Sequence, residues 1–109
     1  MKFCFDIDGT ICSQKPDNQA AYNEAKPFKD VIKEINRLYK DGHTIIFLTA
    51  RGSTTGIDWK DFTTEQLRKW GVKYHELHFG KPNADVFIDD KARTLEDAID
   101  LSSRNYRIL

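Results

Sequence analysis

Residues 44–48, Thr-Ile-Ile-Phe-Leu, are β-branched or apolar throughout, without the polar alternation of a strand that faces water. Such a run predicts a central parallel strand covered on both faces, and parallel strands have to be joined by crossovers. The stretch before it supplies one. Phe28, Val31, Ile32, Ile35, Leu38 and Tyr39 recur at three- and four-residue spacing, the apolar stripe of a helix, with Pro27 suited to its first turn and Gly42 to its stop. Near the amino end, Phe3-Cys4-Phe5 reads as a second strand buried on both faces.

The rest of the chain continues the alternation. Residues 11–26 are polar and irregular between the breakers Pro16 and Pro27, and a loop this long in a small domain is uncommon unless it has a use. Residues 13–26 are therefore expected to form a flap beside a site, with Tyr22 packing inside it. Residues 52–60 are expected to be a second flexible loop. A helix follows, with Thr63 and Gln66 as its capping box, Phe62 and Leu67 as a hydrophobic staple, and Gly71 as its stop. Residues 72–79 read as a strand near a sheet edge, with His75 and His78 on the surface. Val86-Phe87-Ile88 reads as a short buried strand ending in Asp89-Asp90. Residues 94–102 read as a helix capped by Thr94 with Asp97, and residues 106–109 as a terminal strand. The order β-α-β-α-β-β-α-β predicts one Rossmann-like, three-layer α/β/α domain over residues 1–109, with a mainly parallel sheet and no separate cap domain.

Composition narrows the function. Lys plus Arg and Asp plus Glu are both 17 in 109 residues, so nothing global advertises nucleic acid or an anionic membrane as partner. No apolar run approaches the roughly 20 residues that cross a bilayer, and Asp6 and Asp8 interrupt any secretory apolar region, so a cytoplasmic location is expected. Cys4, in a strand, and Cys12, in a loop, are expected to be reduced thiols, with a reactive role for Cys12 the lesser reading.

The chemistry gathers at the strand ends. Residues two apart in an extended segment point the same way, so Asp6 and Asp8 should project together beyond the first strand with Ile7 turned inward. Like charges this close call for a cation between them, and Mg²⁺, a hard ion that prefers oxygen, is the natural candidate. Gly9 lets the backbone turn and Thr10 offers a hydroxyl and an amide. Thr49-Ala50-Arg51-Gly52 ends the central strand, Lys81 sits in the loop after the next, and Asp89-Asp90 ends the short one. All would meet at the carboxyl edge of the sheet, where open α/β folds bind ligands. Each has a blander reading: Asp-x-Asp-Gly-Thr as a turn, Thr49 as a strand cap, Lys81 as a solvated lysine, Asp89-Asp90 as a turn into a helix. Their joint placement favours a site. Arg51 divides evenly between binding a substrate phosphate or carboxylate and forming an outward salt bridge.

Taken together, Asp6-x-Asp8-Gly9-Thr10, the strand-terminal Thr49, Lys81 before a proline and the apolar run ending Asp89-Asp90 resemble the four motifs of the haloacid dehalogenase-like superfamily of phosphohydrolases. The wording around residues 48–52 and 80–82 is similar to that of small capless members linked to bacterial capsule or lipopolysaccharide sugar biosynthesis. The resemblance implies a Mg²⁺-dependent phosphatase in which Asp6 is the nucleophile and Asp8 the general acid and base. It further implies Mg²⁺ held by Asp6, the Asp8 carbonyl and Asp89, with Asp90 acting through water or orienting Lys81. Thr49, Lys81, Ala50, Arg51 and the amides of Ile7, Gly9 and Thr10 would bind the phosphoryl group.

The expected substrate is a small polar phosphate monoester, such as a sugar phosphate or a phosphorylated polyol or amino alcohol. A site without a cap domain would gain cover from residues 13–26, from residues 52–60 or from a homo-oligomer partner. Asp8 favours ester hydrolysis over dehalogenation, since an alkoxide leaving group needs a proton. Two alternatives are a receiver-like phospho-acceptor signalling domain and a non-catalytic phosphometabolite-binding protein.

Overall fold

The computed structural model describes residues 1–97. Three strands, β1 (Lys2–Phe5), β2 (Thr44–Thr49) and β3 (Glu76–Phe79), form a parallel sheet in the order β1-β2-β3. Three helices lie between them, α1 (Gln19–Asn23), α2 (Lys29–Lys40) and α3 (Lys60–Lys69). The chain is a single α/β domain. Because the strands succeed one another in one direction, right-handed crossovers place α2 and α3 on the same face of the sheet. Accordingly the α2 residue Asn36 donates to the carbonyl of Gly71 just past α3 and accepts from the amide of Lys73.

The core lies beneath that face. Phe3 and Phe5 of β1 and Ile45 and Phe47 of β2 pack with Ile32, Ile35 and Leu38 of α2 and Leu67 of α3 in one buried cluster. Of the helical stripe read from residues 28–39, Ile32, Ile35 and Leu38 form the buried face of α2 and Val31 and Tyr39 pack partly buried beside them, whereas Phe28 caps the helix and is exposed; Gly42 at φ 95° allows the turn out of it. The strands depart from expectation. β1 and β2 alternate in burial, and Cys4 is exposed, so neither strand is sealed on both sides. The chain keeps β-branched residues on the second face because a pleated parallel strand favours them even when half-buried.

Several sequence expectations are corrected. The third strand is shorter than residues 72–79: it begins at Glu76, while His75 stays exposed, stacks on Tyr39 and accepts from the Ile45 amide through Nδ1. Thr63 and Gln66 do not cap a helix, because α3 starts three residues earlier at Lys60, whose amide donates to Asp58. Residues 86–88 form no strand; Val86, Phe87 and Ile88 are exposed, and an apolar run of three carries too little periodicity to dictate one. Thr94 does accept from the Asp97 amide as a cap should. The remainder of that helix and the strand expected at 106–109 lie outside the described residues.

Candidate active site

At the carboxyl edge of the sheet the chain leaves β1 through Asp6 and Asp8 and leaves β2 through Ala50 and Arg51. Ile7 between the two acids is fully buried, and this anchors the segment while both carboxylates border one cavity of about 450 Å³. The same wall contains Gln14, Lys15, Pro16, Asp17 and Tyr22 from the residue 13–26 segment, Thr54, and Lys81 to Ala84 with Phe87. Segments far apart in sequence thus converge on two acids.

Lys81 is fixed by its backbone. Its amide donates to the Thr49 carbonyl at 3.2 Å and its carbonyl accepts from the Ser53 hydroxyl at 2.6 Å. From there Nζ reaches to 3.4 Å from Asp6 Oδ2 and lies 4.4 Å from the centre of the Phe87 ring. Asp6 Oδ1 accepts from the Ile7 amide at 2.8 Å. The Asp6 side chain keeps about a third of its surface open to solvent, so it is oriented but accessible.

Asp8 is held differently. Arg51 grips it through two parallel bonds, Nε to Oδ2 and Nη2 to Oδ1, both 2.9 Å. The same guanidinium donates from Nη1 to Thr63 at 3.1 Å and to Gln66 at 2.8 Å, and it stacks 4.2 Å over the Tyr22 ring. Its side chain is wholly inaccessible to solvent. This corrects both expectations for Arg51: it is an inward clamp on Asp8, its charge already matched, and neither a phosphate anchor nor an outward salt bridge.

Other expected phosphate contacts are also committed elsewhere. The amides of Ile7, Gly9 and Thr10 donate to Asp6 Oδ1, the Cys12 carbonyl and the Ile7 carbonyl. Thr49 is buried outside the cavity wall, where its hydroxyl accepts from the Arg51 amide at 3.1 Å. Asp89 and Asp90 are exposed and do not border the cavity; Asp89 accepts from the Lys91 amide at 2.8 Å, as the first residue of a turn does. That bond first, and then Asp90, hold its carboxyl below the usual range. The reason is the missing strand at 86–88, which alone would have carried the pair to the sheet edge. Among the described residues, no three His, Cys, Asp or Glu side chains are grouped closely enough to hold a metal.

Cys12 is buried rather than in an open loop. Burial, then the nearby Asp8 charge, push its thiol up to about 12, which removes the thiolate that a reactive role needs.

Asp17 is a site residue that no sequence pattern marks. It accepts from the Tyr22 hydroxyl at 2.6 Å, the Gly52 amide at 3.0 Å and the Thr55 hydroxyl at 2.7 Å, latching the residue 13–26 segment onto the loop after β2. Burial works to raise its pKa, but these donors, with the Trp59 indole nearby, outweigh it and hold the carboxyl below its usual value. Gly52 makes the approach feasible: its φ is 83°, and a Cβ there would fall 2.2 Å from the Ile57 carbonyl oxygen. Asp17 was invisible because acids in irregular loops carry no periodic signal. Thr63 and Gln66 were visible as polar residues three apart, and it is this helical spacing that aims both at Arg51.

The fold and this edge define a small parallel α/β domain with a carboxylate and lysine cavity at the strand ends. No protein-family model matches the chain, and no curated protein matches it. Among solved structures it is similar to a structure-determination target from Vibrio cholerae, with 29% identity, a TM-score of 0.72, and 90% of this chain and 86% of that one covered. It is also similar to a chain of a Pnkp1/Rnl/Hen1 complex at 20% identity and a TM-score of 0.58, covering 95% of this chain but 34% of the other, a likeness of fold.

Proposed function

We propose that the chain is a Mg²⁺-dependent phosphatase that hydrolyses a phosphate monoester of a small polar metabolite through an aspartyl-phosphate on Asp6. The observation that carries the reading is the meeting of an accessible Asp6, Lys81 at 3.4 Å and a clamped Asp8 in one cavity beyond the ends of parallel strands. The haloacid dehalogenase-like resemblance of Asp6-x-Asp8-Gly9-Thr10 agrees with it.

The donor set suits Mg²⁺ in a reduced form. This ion commonly takes one or two carboxylates and completes its shell with water and substrate phosphate oxygens. Asp6, with the Asp8 carbonyl beside it, would hold it; Asp89 and Asp90 are set aside because they stand outside the cavity wall. When bound, the ion supplies positive charge against the phosphoryl oxygens.

The side chains then divide the work. An Asp6 oxygen attacks phosphorus, the bond from phosphorus to the ester oxygen breaks, and the departing oxygen takes a proton from Asp8, which enters this step as the neutral carboxylic acid. Water next gives a proton to Asp8 as it attacks phosphorus, and the Asp6–phosphorus bond breaks to release inorganic phosphate. Lys81 offsets the charge that would make Asp6 repel its substrate. Arg51 holds Asp8 by one lone pair on each oxygen, and each oxygen keeps another lone pair to use.

Incubation with p-nitrophenyl phosphate and Mg²⁺ tests the reading. Many turnovers per molecule support it. A single stable phosphorylation would indicate a phospho-acceptor domain instead, and binding without reaction a non-catalytic protein.

A further inference from the structure

The charges around the cavity do not all cancel in pairs. Lys81 faces Asp6, and Arg51 is spent on Asp8. Asp17 has both oxygens engaged by Tyr22, Gly52 and Thr55. Lys15 also borders the cavity, is half-buried, and makes no hydrogen bond or ion pair with any described residue.

Lysines in loops are ordinarily solvated, but the backbone on either side of Lys15 is fastened. Gln14 lies directly on Gly9, where a Cβ would come within 2.6 Å of its Oε1. Pro16 restricts Lys15 to extended backbone, and Asp17 is tied to the opposite wall. Lys15 is thus carried to the cavity on a latched segment, and Asn83 and Thr54, which bond to one another at 3.0 Å, border the same cavity. Lys15 is a cation at the cavity that no described carboxylate engages, and an anion entering there can pair with it.

We propose that Lys15 is a second anion subsite, so that the preferred substrate carries an anionic oxygen group, a carboxylate or a second phosphate, in addition to the phosphoryl group placed at Asp6. The proposal rests on the phosphatase reading for the identity of the first group. Lys15 serves specificity: it pairs with the part of the substrate that is not transferred, and it lowers KM for such substrates without entering the chemistry.

Two measurements separate this subsite from the reaction. In the first, the Asp6→Asn chain, with and without Lys15→Gln, is titrated calorimetrically with 3-phosphoglycerate and with glycerol 3-phosphate, which differ by the carboxylate. Fructose 1,6-bisphosphate and fructose 6-phosphate make the same comparison for a second phosphate. At least about tenfold tighter binding of one of the doubly anionic ligands, abolished by Lys15→Gln and restored by Lys15→Arg, is expected, a tenfold ratio being about 1.4 kcal/mol. Which pair shows the ratio tells carboxylate from phosphate. Equal affinity within both pairs, or a ratio that survives Lys15→Gln, overturns the subsite.

In the second, turnover by the otherwise unaltered chain is followed. Lys15→Gln is expected to raise KM about tenfold for the favoured doubly anionic ester, with kcat unchanged and p-nitrophenyl phosphate hydrolysed as before. A fall in kcat for every ester alike would make Lys15 part of the reaction machinery and overturn its role as a specificity residue. Discriminating binding with no turnover of any ester would uphold the subsite and refute the phosphatase reading.

Discussion

Arg51 is the most heavily committed side chain of the site, and its partners make its role measurable. The carboxylate it clamps, on Asp8, is 11% exposed, so removing the guanidinium strands a charge that water can scarcely reach. Loss of one partner of such a pair costs about 3–5 kcal/mol. Arg51→Met should therefore lower stability to urea by about that much, while adding Asp8→Asn should recover part of the loss, since a double-mutant cycle reports their coupling. Arg51→Lys should not substitute, because an ammonium cannot make two parallel bonds to Asp8 and reach Thr63 and Gln66 as well. Additive losses in the cycle would show that the two side chains do not depend on each other.

At the scale of elements, the latch between the residue 13–26 segment and the loop after β2 has a pH signature. The folded pKa of Asp17 lies below its unfolded value of about 3.9. Its ionised form therefore adds stability above that value, and the contribution fades as pH falls through the folded pKa. The stability difference between the native chain and Asp17→Asn should be widest near neutral pH and should close as pH falls through the folded pKa. A difference that stays constant over that range would contradict a latch built on the carboxylate.

The helix of α2 was legible because five apolar residues, Val31, Ile32, Ile35, Leu38 and Tyr39, recur at helical spacing within it, and β2 because five consecutive residues favour a strand. Short signals misled. Val86-Phe87-Ile88 has the composition of a strand, yet it lies open, with Ile88 at 95% exposure and Phe87 turned to Lys81. Ile88→Lys should then change stability by no more than about 0.5 kcal/mol, as surface substitutions do, whereas burying that lysine in a strand would cost several times more. A large loss of melting temperature would restore the strand. The roles of Arg51 and Asp17 were hidden because they depend on partners 12 to 43 residues distant, which no local pattern encodes.

For the whole molecule, the fold serves to bring separate loops to one sheet edge. Parallel strands all point their carboxyl ends the same way, so Asp6 and Asp8 after β1 and Arg51 after β2 reach a common cavity, with Lys81 just beyond β3. Side-chain ties, from Ser53 to Lys81, Thr54 to Asn83 and Asp17 to Thr55, then join these loops to one another. No helix among the described residues is long and apolar enough to cross a membrane.

The central claim is that Asp6 accepts the phosphoryl group, and the most direct measurement is peptide mapping by mass spectrometry after acid quench during turnover of p-nitrophenyl phosphate. Phosphate is expected on the peptide containing Asp6 and none on the Asp6→Asn chain, with a fall in that variant's turnover of at least about a thousandfold, a loss of roughly 4 kcal/mol of transition-state stabilisation. Turnover by Asp6→Asn at the native rate, or phosphate carried on a different acid, would contradict it.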